Sequence, residues 1–365
     1  MNKSDIFIDV RSGSVAVAVA KLGENKKREF SFFERKDIPL QDDFDSAKSI
    51  GSVENVCGQL LKRIAHTTDQ PNQIYLTIGA PWITSRTQKI SYESEKPFTY
   101  NEKIAKSLMD KDSANFVEDF EDNESVELIE QSILNIELNG YAIKKPYGKV
   151  AKTLGLTVHL SLVGKSVLSS LRHAIQTIFN HQAIHIHSFA YLALLSTDTI
   201  RKANSFIMLN IGGEISEVSL IKDGYIKESL SFPLGAHRIF RTLADNLNIT
   251  PDEARILYNS WLTNQTQTEI SKKILQILDD VKLLWLTYLN SILQKLTSSY
   301  VLPRGIYIIG SQDLGGLVGA ILNDMDCFIM SPDVLNNYYS SVSNAKPDTF
   351  VLIEAISIDK FNSLR

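Results

Sequence analysis

Alternating apolar and polar positions near the N-terminus predict a meander of strands. Residues 5–22 (DIFIDVRSGSVAVAVAKL) contain two apolar strands around a tight turn at Arg11–Ser14, and a third strand is predicted near Arg28–Glu34. Apolar residues at helical spacing then predict a helix over residues 51–67, and the apolar run QIYLTIGAP predicts a further strand. The chain therefore opens with three strands, a helix and a fourth strand.

A similar arrangement is predicted in the second half of the chain. Residues 206–235 contain an apolar strand, a Gly-Gly turn, a second alternating strand, an Asp223-Gly224 turn and a third strand. Thr250 begins a capping pattern (Thr-Pro-Asp-Glu) that predicts a helix start, and residues 267–299 predict a long helix with one apolar face. The strand GIYIIG follows. Hairpins followed by helices thus occur twice, which indicates a duplicated core.

The middle and the end of the chain are less regular. Between about Thr84 and Leu162 the composition shifts toward charge, and strand, helix and strand patterns predict an inserted subdomain. The acidic run Glu118–Glu127 is predicted to be a solvated helix end or loop, with a partner-docking patch as the alternative. A helix over residues 165–179 then returns to the first core. The final run TFVLIEAISI is predicted to be buried, and its periodicity leaves strand and helix open.

Length, charge and cysteine content narrow the class of protein. A chain of 365 residues is too long for one compact core and suits two or three domains. A formal net charge of −4 gives no basic excess, so we expect no nucleic-acid partner. Cys57 and Cys327 lie far apart, which suits a reducing compartment, and we find neither a secretory signal nor an apolar run of about 20 residues. These features predict a cytoplasmic protein.

Three loops carry the candidate chemistry of the chain. The first lies at Asp9–Ser14, the second at Asn210–Glu217, and the third begins at Gly310. Their order and spacing resemble the two phosphate loops and the adenosine-side loop of the bacterial actin-like family that includes the division protein FtsA and the pilus assembly protein PilM. The resemblance implies that these residues line a nucleotide site: Asp9, Arg11, Ser12, Gly13, Asn210, Gly212, Gly213, Glu217, Gly310 and Ser311.

The same resemblance implies a fold and a division into domains. The expected fold is α/β (α+β overall), an actin-like ATPase-domain fold with two duplicated ribonuclease-H-like domains around a cleft and a small inserted α+β subdomain. The first domain is expected to comprise residues 1–84 and 165–202, with the inserted subdomain at 85–164. The second domain is expected at 203–335, and residues 336–365 return to the first.

The loops depart from the family pattern in ways that affect nucleotide binding. Arg11 replaces a glycine, so it either crowds the phosphate or supplies a guanidinium contact of its own. Asn210 replaces an aspartate and brings no negative charge for Mg²⁺, and Ile215 replaces a threonine-type hydroxyl. The loop after Gly310 is reduced, and Glu354 stands where the family has glycine. We therefore expect weak or absent binding of ATP with Mg²⁺ and no hydrolysis, and we nominate no catalytic residue.

Two simpler interpretations accompany these expectations. Asp9 and the loop glycines also suit tight turns whatever binds there, so a purely structural role and residual nucleotide binding are both open. His181, His185 and His187 suggest a metal site, because residues i and i+2 of a strand share a face. No cysteine or carboxylate stands beside them in the sequence. We therefore expect the edge of a strand at these histidines and no metal.

The resemblance implies a cytoplasmic scaffold of the FtsA type, which links membrane-associated cell-division partners. A PilM-like component of type IV pilus assembly is the alternative, and an ATP-binding switch or slow ATPase with polymerisation is another. FtsA ends in a linker and a membrane-targeting helix, which the final SIDKFNSLR lacks, whereas PilM-type proteins reach the membrane through a bound peptide of a membrane partner. We expect a membrane-associated protein partner at the inner face of the membrane, self-association, and no direct membrane anchor.

Overall fold

The structure is a computed structural model that describes residues 4–25, 27–41, 45–66, 68, 70–120, 125–180, 183–310, 326–342 and 345–363. The strands are β1 (Asp5–Arg11), β2 (Ser14–Leu22), β3 (Arg28–Asp37), β4 (Ile74–Ile78), β5 (Ile83–Thr99), β6 (Val126–Leu138), β7 (Tyr141–Ala142), β8 (Val150–Gly164), β9 (Ile184–Ser188), β10 (Phe206–Ile211), β11 (Ser216–Lys222), β12 (Tyr225–Phe232), β13 (Gly305–Gly310), β14 (Asp326–Ile329) and β15 (Tyr339–Ser341). The helices are α1 (Ser46–Ala65), α2 (Glu102–Glu118), α3 (Lys165–Phe179), α4 (Phe189–Ile200), α5 (Ala236–Leu247), α6 (Pro251–Leu262), α7 (Thr268–Thr297), α8 (Pro332–Leu335) and α9 (Thr349–Ser363). Within these described ranges, no helix has the length and apolar content that crossing a bilayer requires.

The first sheet has six strands in the order β15–β3–β2–β1–β4–β9. Strands β1, β2 and β3 form an antiparallel meander, in which Asp9 pairs with Ala16 and Arg11 pairs with Ser14. Strands β4 and β9 add in parallel on the other side of β1. Every residue of β1 is buried, because helices cover both faces of this sheet.

The second sheet has five strands in the order β12–β11–β10–β13–β14. Its meander is again antiparallel, and β13 and β14 again add in parallel beside the first strand, β10. The predicted Asp223-Gly224 turn has φ values of 57° and 81°, as a two-residue hairpin turn with the twist of its strands requires. The two sheets therefore repeat one strand order, in agreement with the duplication indicated by the sequence.

A third, antiparallel sheet lies between β4 and α3 in the chain, with the order β5–β8–β6–β7. Strands β5 and β8 are long, with 17 and 15 residues. Helix α2 packs on this sheet, and its Phe116 joins Leu156, Leu160 and Tyr100 in a separate hydrophobic core. Strand and helix patterns in the charged middle of the chain thus correspond to one sheet with one covering helix.

Helices cover and separate the two repeated sheets. Helices α1 and α3 pack on the outer face of the first sheet, around Leu60 and Leu171. Helices α4 and α9 share one core cluster with Phe7 of the first sheet and Phe206 of the second, so these two helices lie between the sheets. Helices α5, α6 and α7 cover the far face of the second sheet. This layering positions the turn after β1 beside the turn after β10.

Predictions of helix and strand bounds agree with the structure where they depend on neighbouring residues, and differ where packing against distant segments sets the bounds. The Thr250 capping box forms, because its Oγ1 accepts from the Glu253 backbone N–H at 3.3 Å and the Glu253 carboxylate accepts from the Thr250 N–H at 2.8 Å. Helix α1 begins at Ser46, five residues before the predicted start at 51, and β3 continues to Asp37. The run TFVLIEAISI is helical: it is apolar on all sides because it packs between two sheets, and therefore shows no clear period.

Candidate functional site

Two hairpin turns meet between the repeated sheets. The first, Ser12-Gly13, joins β1 to β2, and the second, from Gly212 to Ile215, joins β10 to β11. A Cβ atom added at Gly213 would lie 2.5 Å from the Gly13 Cα, and one added at Gly13 would lie 2.9 Å from the Gly213 Cα. No side chain fits at these distances, so the turns can touch only because both residues are glycine. The structure therefore brings the two predicted phosphate loops into direct contact.

Polar groups of the two turns form hydrogen bonds with other groups of the same chain. The Ser12 Oγ accepts a hydrogen bond from the Glu214 backbone N–H at 3.0 Å, which joins the turns directly. Within the second turn, the Gly212 N–H donates to the Ile215 carbonyl at 2.9 Å. The His237 N–H, in the first turn of α5, donates to a carbonyl of the same hairpin turn at 2.8 Å. In a phosphate-binding turn such N–H groups face the ligand, whereas these donate to protein oxygens.

The Glu214 carboxylate anchors the second turn to its surroundings. It accepts from His237 Nδ1 at 2.8 Å and from the Arg241 guanidinium at 2.7 and 2.8 Å. Burial alone would raise the pKa of Glu214, but the hydrogen bonds from His237 and Arg241 outweigh this effect and lower the pKa. Arg241 Nε also donates to the Gln41 carbonyl at 2.7 Å, so one arginine joins the second turn to the segment after β3.

Arg11 points into the interior and only 4% of it is exposed. Its Nε donates to the fully buried Asp9 at 2.7 Å, and Arg35 donates to the other Asp9 oxygen at 2.6 Å. The Arg11 guanidinium lies 3.4 Å from the ring centre of Phe189 and 4.2 Å from that of Phe350. Burial would raise the pKa of Asp9, but the two guanidinium groups outweigh it, and the pKa is lowered. Arg11 is thus the internal counter-ion of Asp9.

Glu354 completes this buried cluster from α9. Its Oε1 lies 3.9 Å from Arg11 Nη2, and the residue is fully buried. Burial, and then the negative charge of Asp9, raise the pKa of Glu354 well above its usual value, so we assign it the protonated, neutral form. Arg35 forms a second ion pair, with Asp348. Two arginines therefore pair with two aspartates beside Glu354.

The corresponding end of β10 has the amide Asn210 where β1 has the carboxylate Asp9. Asn210 is 6% exposed and lies opposite Glu217 across the β10–β11 pair. Burial raises the pKa of Glu217, although the Asn210 hydrogen bond and the charge of Arg11 offset part of this rise. Gly310 is the last residue of β13, beside β10, and Ser311 lies outside the described residues. Apart from Ser311, the predicted residues of all three loops are therefore neighbours in space.

These residues do not fit the ATP with Mg²⁺ that the resemblance implies. The turns touch at Gly13 and Gly213, which leaves no space for a phosphate between them. Both carboxylates at the turns already have cationic partners: Asp9 pairs with Arg11 and Arg35, and Glu214 pairs with Arg241. In the part of the chain that the structure describes, no three histidine, cysteine, aspartate or glutamate residues are grouped so that they could hold a metal ion.

The histidines of β9 have a partner that sequence reasoning missed. His185 Nε2 donates to Gln73 at 2.6 Å, whereas His187 Nδ1 donates to Glu130 at 3.2 Å. The sequence has no carboxylate beside these histidines, but the fold brings Glu130 of β6 to His187 from 57 residues away. β9 is the edge of its sheet, as expected, and His181 lies outside the described residues.

Glu130 is the centre of a buried polar network between the inserted sheet and the first repeated sheet. Ser161 and Ser188 donate to the same Glu130 oxygen at 2.8 and 2.5 Å, and Ser161 also bonds His159 at 3.1 Å. Burial would raise the pKa of Glu130, but the hydrogen bond and charge of His187 outweigh it and lower the pKa. Ser161 and His159 are fully buried, so this serine–histidine–glutamate set acts as a structural connection without access for a substrate.

Sequence reasoning also missed Arg35, His237 and Arg241 as parts of the site. Arg35 lies near the end of β3 and reaches Asp9 only through the register of the meander. His237 and Arg241 are one helical turn apart at the start of α5, so both face the second hairpin turn. Their i, i+4 spacing after the glycine that precedes α5 was the one signal in the sequence that pointed to them.

Structure comparison relates this fold to known proteins, whereas no protein-family profile and no curated protein matches the sequence. The PilM–PilN type IV pilus biogenesis complex aligns with a TM-score of 0.67 and 10% identity, covering 97% of this chain and 96% of that chain. The ethanolamine utilization protein EutJ from Carboxydothermus hydrogenoformans aligns at 0.47 and 11% identity, covering 98% and 89%. A protein of unknown function with an actin-like ATPase fold from Bacteroides thetaiotaomicron aligns at 0.43 and 12% identity, covering 98% and 96%. Together with the repeated strand order, the first alignment establishes the actin-like ATPase fold.

Proposed function

We propose that this chain is a non-enzymatic assembly scaffold on the actin-like fold. The contact between the two hairpin turns is the observation that carries the proposal. The Ser12 Oγ and the Glu214 N–H are bonded to each other, and Gly13 packs on Gly213, at the place where this fold class holds phosphates. The Arg11 guanidinium pairs with Asp9 and provides the positive charge that a bound metal ion provides in a nucleotide site. The chain therefore acts through protein contacts.

Pilus assembly is the function that the comparisons favour within this proposal. A structure of the PilM–PilN complex matches the fold over 97% of the chain, whereas the expectation of an FtsA-type division scaffold has no such support. We therefore place the chain in type IV pilus assembly or a related machine. In this role it works in the cytoplasm, holds a segment of a membrane-associated protein and associates with further copies of itself.

Titration calorimetry with ATP and Mg²⁺ tests the non-enzymatic part of the proposal. The native chain is expected to give no binding heat at concentrations up to the millimolar range, while an actin-like ATPase in the same buffer serves as the positive control. The double variant Arg11→Gly with Asn210→Asp restores the family residues at both turns, and circular dichroism reports whether it is folded. Micromolar binding by the native chain would contradict the proposal and favour the ATP-dependent switch.

A peptide titration tests the assembly part separately. The probe is a synthetic peptide with the cytoplasmic segment of a PilN-type membrane protein from the same organism, and a scrambled peptide of the same composition is the control. Saturable binding of the native peptide alone is the expected result. If neither peptide binds while Mg²⁺ and ATP produce polymers in a light-scattering assay, the pilus assignment fails.

A further inference from the structure

The far end of the inserted sheet carries a concentrated positive charge. Residues 139–152 (NGYAIKKPYGKVAK), which we call the basic tip, connect β6 to β8 through the short strand β7. They contain four lysines and no aspartate or glutamate, whereas the whole chain has a formal charge of −4. The lysines are Lys144, Lys145, Lys149 and Lys152. The charge of the basic tip is therefore opposite in sign to that of the molecule.

The basic tip is an ordered structure. The Asn139-Gly140 turn has φ values of 51° and 82°, and the Asn139 side-chain oxygen accepts from the Lys152 backbone N–H at 2.9 Å. The Ile143 N–H donates to the Ile136 carbonyl at 2.8 Å. These bonds hold both ends of the segment against the sheet. A partner that binds the tip therefore does not have to order it first.

Three apolar side chains of the basic tip are exposed. Tyr141 is 75% exposed, Tyr147 is 64% exposed and Val150 is 62% exposed. They lie outside the hydrophobic core of the inserted sheet. The Tyr147 ring touches Tyr100 edge-on, at 5.6 Å between centroids, so it covers the core from outside without being buried by it. Exposed apolar side chains and exposed lysines are therefore interspersed along the basic tip.

The lysines of the basic tip are available for an external partner. All four are exposed, and none has a carboxylate within ion-pair distance in the described part of the chain. Of the acidic residues at its margins, Glu137 pairs with Lys89 at 2.5 Å, and Glu102 accepts from the hydroxyl of Tyr147 in the tip at 3.3 Å, so neither pairs with a lysine of the tip. An anionic partner thus meets uncompensated positive charge.

The basic tip is also well placed for contact with an extended surface. β8 begins in the tip at Val150 and runs for 15 residues to Gly164, and its Val163 packs in the core of the first repeated sheet. At about 3.3 Å per residue this strand extends about 45 Å. β7 is the edge strand of the inserted sheet. The basic tip therefore lies at the far end of the inserted sheet, about the length of β8 from Gly164.

We propose that the basic tip contacts an anionic lipid bilayer. Lysines bind anionic headgroups, each contributing roughly fivefold in affinity near such a surface. Tyrosine rings are favoured at the level of the headgroups, where one end of the ring is apolar and the other is hydrated. A single patch of this kind gives reversible binding, and stable attachment needs a second interaction. The contact therefore orients the molecule at a membrane. It depends neither on peptide binding nor on nucleotide binding.

Vesicle flotation with the full chain tests this proposal. One set of vesicles contains phosphatidylcholine alone, and the other contains about 30% phosphatidylglycerol, each at about 50 and 300 mM salt. The tip variant replaces Lys144, Lys145, Lys149 and Lys152 with glutamine. The matched control replaces four other exposed lysines, on α1 and α7, and therefore has the same net charge: Lys62, Lys272, Lys273 and Lys295.

The native chain is expected to float with the anionic vesicles at low salt, and neither with phosphatidylcholine nor at high salt. The tip variant should lose at least 50-fold in partition coefficient, and the control variant less than threefold. A second variant, Tyr141→Ser with Tyr147→Ser, should lose several-fold at low salt. All these changes are on exposed side chains, and thermal melting checks the fold.

Three results would overturn the proposal. The first is absence of native binding to anionic vesicles, and the second is an equal loss in the tip and control variants. The third is a tip variant that floats normally but has a different sedimentation coefficient from the native chain, which would assign the tip to contacts between copies of the chain. None of these results affects the ATP titration or the peptide titration that test the proposed function.

Discussion

The ends of β1 and β10 have equivalent places in the two repeated sheets, but their chemistry differs. Asp9 is ionised and pairs with Arg11 and Arg35 in a fully buried cluster. Asn210 is neutral and faces Glu217, whose pKa is raised by burial. A buried carboxylate is stable only with a paired cation: Arg11 and Arg35 pair with Asp9 at the end of β1, whereas in the second repeat Arg241 pairs with Glu214 in the turn. The comparison indicates that the two turns can pack together because each repeat neutralises its buried carboxylate with its own side chains.

Removing the internal cation should have the largest effect on stability. Arg11→Met leaves Asp9 with one cationic partner and removes the stacking on Phe189, so we expect a loss of about 3–5 kcal/mol in the free energy of unfolding. Urea denaturation measures it. The equivalent change in the second repeat, Asn210→Leu, should cost about 1–3 kcal/mol, since it removes a neutral hydrogen bond. Equal costs for the two variants would contradict the contrast between the ion-paired Asp9 and the neutral Asn210.

Separating the two turns should have the next largest effect. Gly213→Ala places a Cβ atom 2.5 Å from the Gly13 Cα, so we expect overpacking to cost about 1–3 kcal/mol. Gly58→Ala is the matched control, because a Cβ there meets nothing within 4 Å and alanine favours the helix by up to about 1 kcal/mol. Thermal melting compares the two variants. A tolerated Gly213→Ala would show that the turns do not need to touch.

Two buried carboxyl groups, Glu354 and Glu214, should contribute to the pH dependence of stability with opposite signs. Burial and the charge of Asp9 raise the pKa of Glu354, so its contribution to stability is present below about pH 4.5 and is lost as pH rises through the folded-state pKa. Bonds from His237 and Arg241 lower the pKa of Glu214 despite its burial, so its contribution is lost as pH falls below about 4.5.

Two isosteric variants measure this difference by urea denaturation across the pH range. Glu354→Gln should flatten the decline of stability above pH 4.5, and Glu214→Gln should flatten the decline below it. Each carboxyl group contributes a slope of at most about 1.4 kcal/mol per pH unit. If Glu354→Gln leaves the neutral and alkaline slopes unchanged, the carboxyl is not protonated in the folded chain.

The single hydrogen bond between the turns should have the smallest effect. Ser12→Ala removes the acceptor of the Glu214 N–H, and we expect a cost of about 0.5–1.5 kcal/mol. Ser169→Ala, on the exposed side of α3, should change stability by at most about 0.5 kcal/mol. Hydrogen exchange of the Glu214 amide gives a local measurement, which should accelerate in Ser12→Ala alone. Unchanged exchange would mean that this bond does not join the turns.

Much of the fold could be predicted because its signals are local. The Asp223-Gly224 turn, the capping box at Thr250 and the apolar face of α7 each depend on residues within a few positions of one another. The candidate site was only partly predictable. Its loops were found from their glycines, but Arg35 is a partner of Asp9 only because β3 pairs with β2 in one register.

The sequence by itself determined most strands, most helices, the duplication and the positions of the three loops, since backbone preference and apolar periodicity act over short distances. Only the tertiary structure decided that Arg11 points inward, that Gly13 touches Gly213, and that Glu130 reaches His187. The direction of a charged side chain depends on which distant segments bury it and which counter-charges they bring. That balance of desolvation and pairing exists only after the layers have packed.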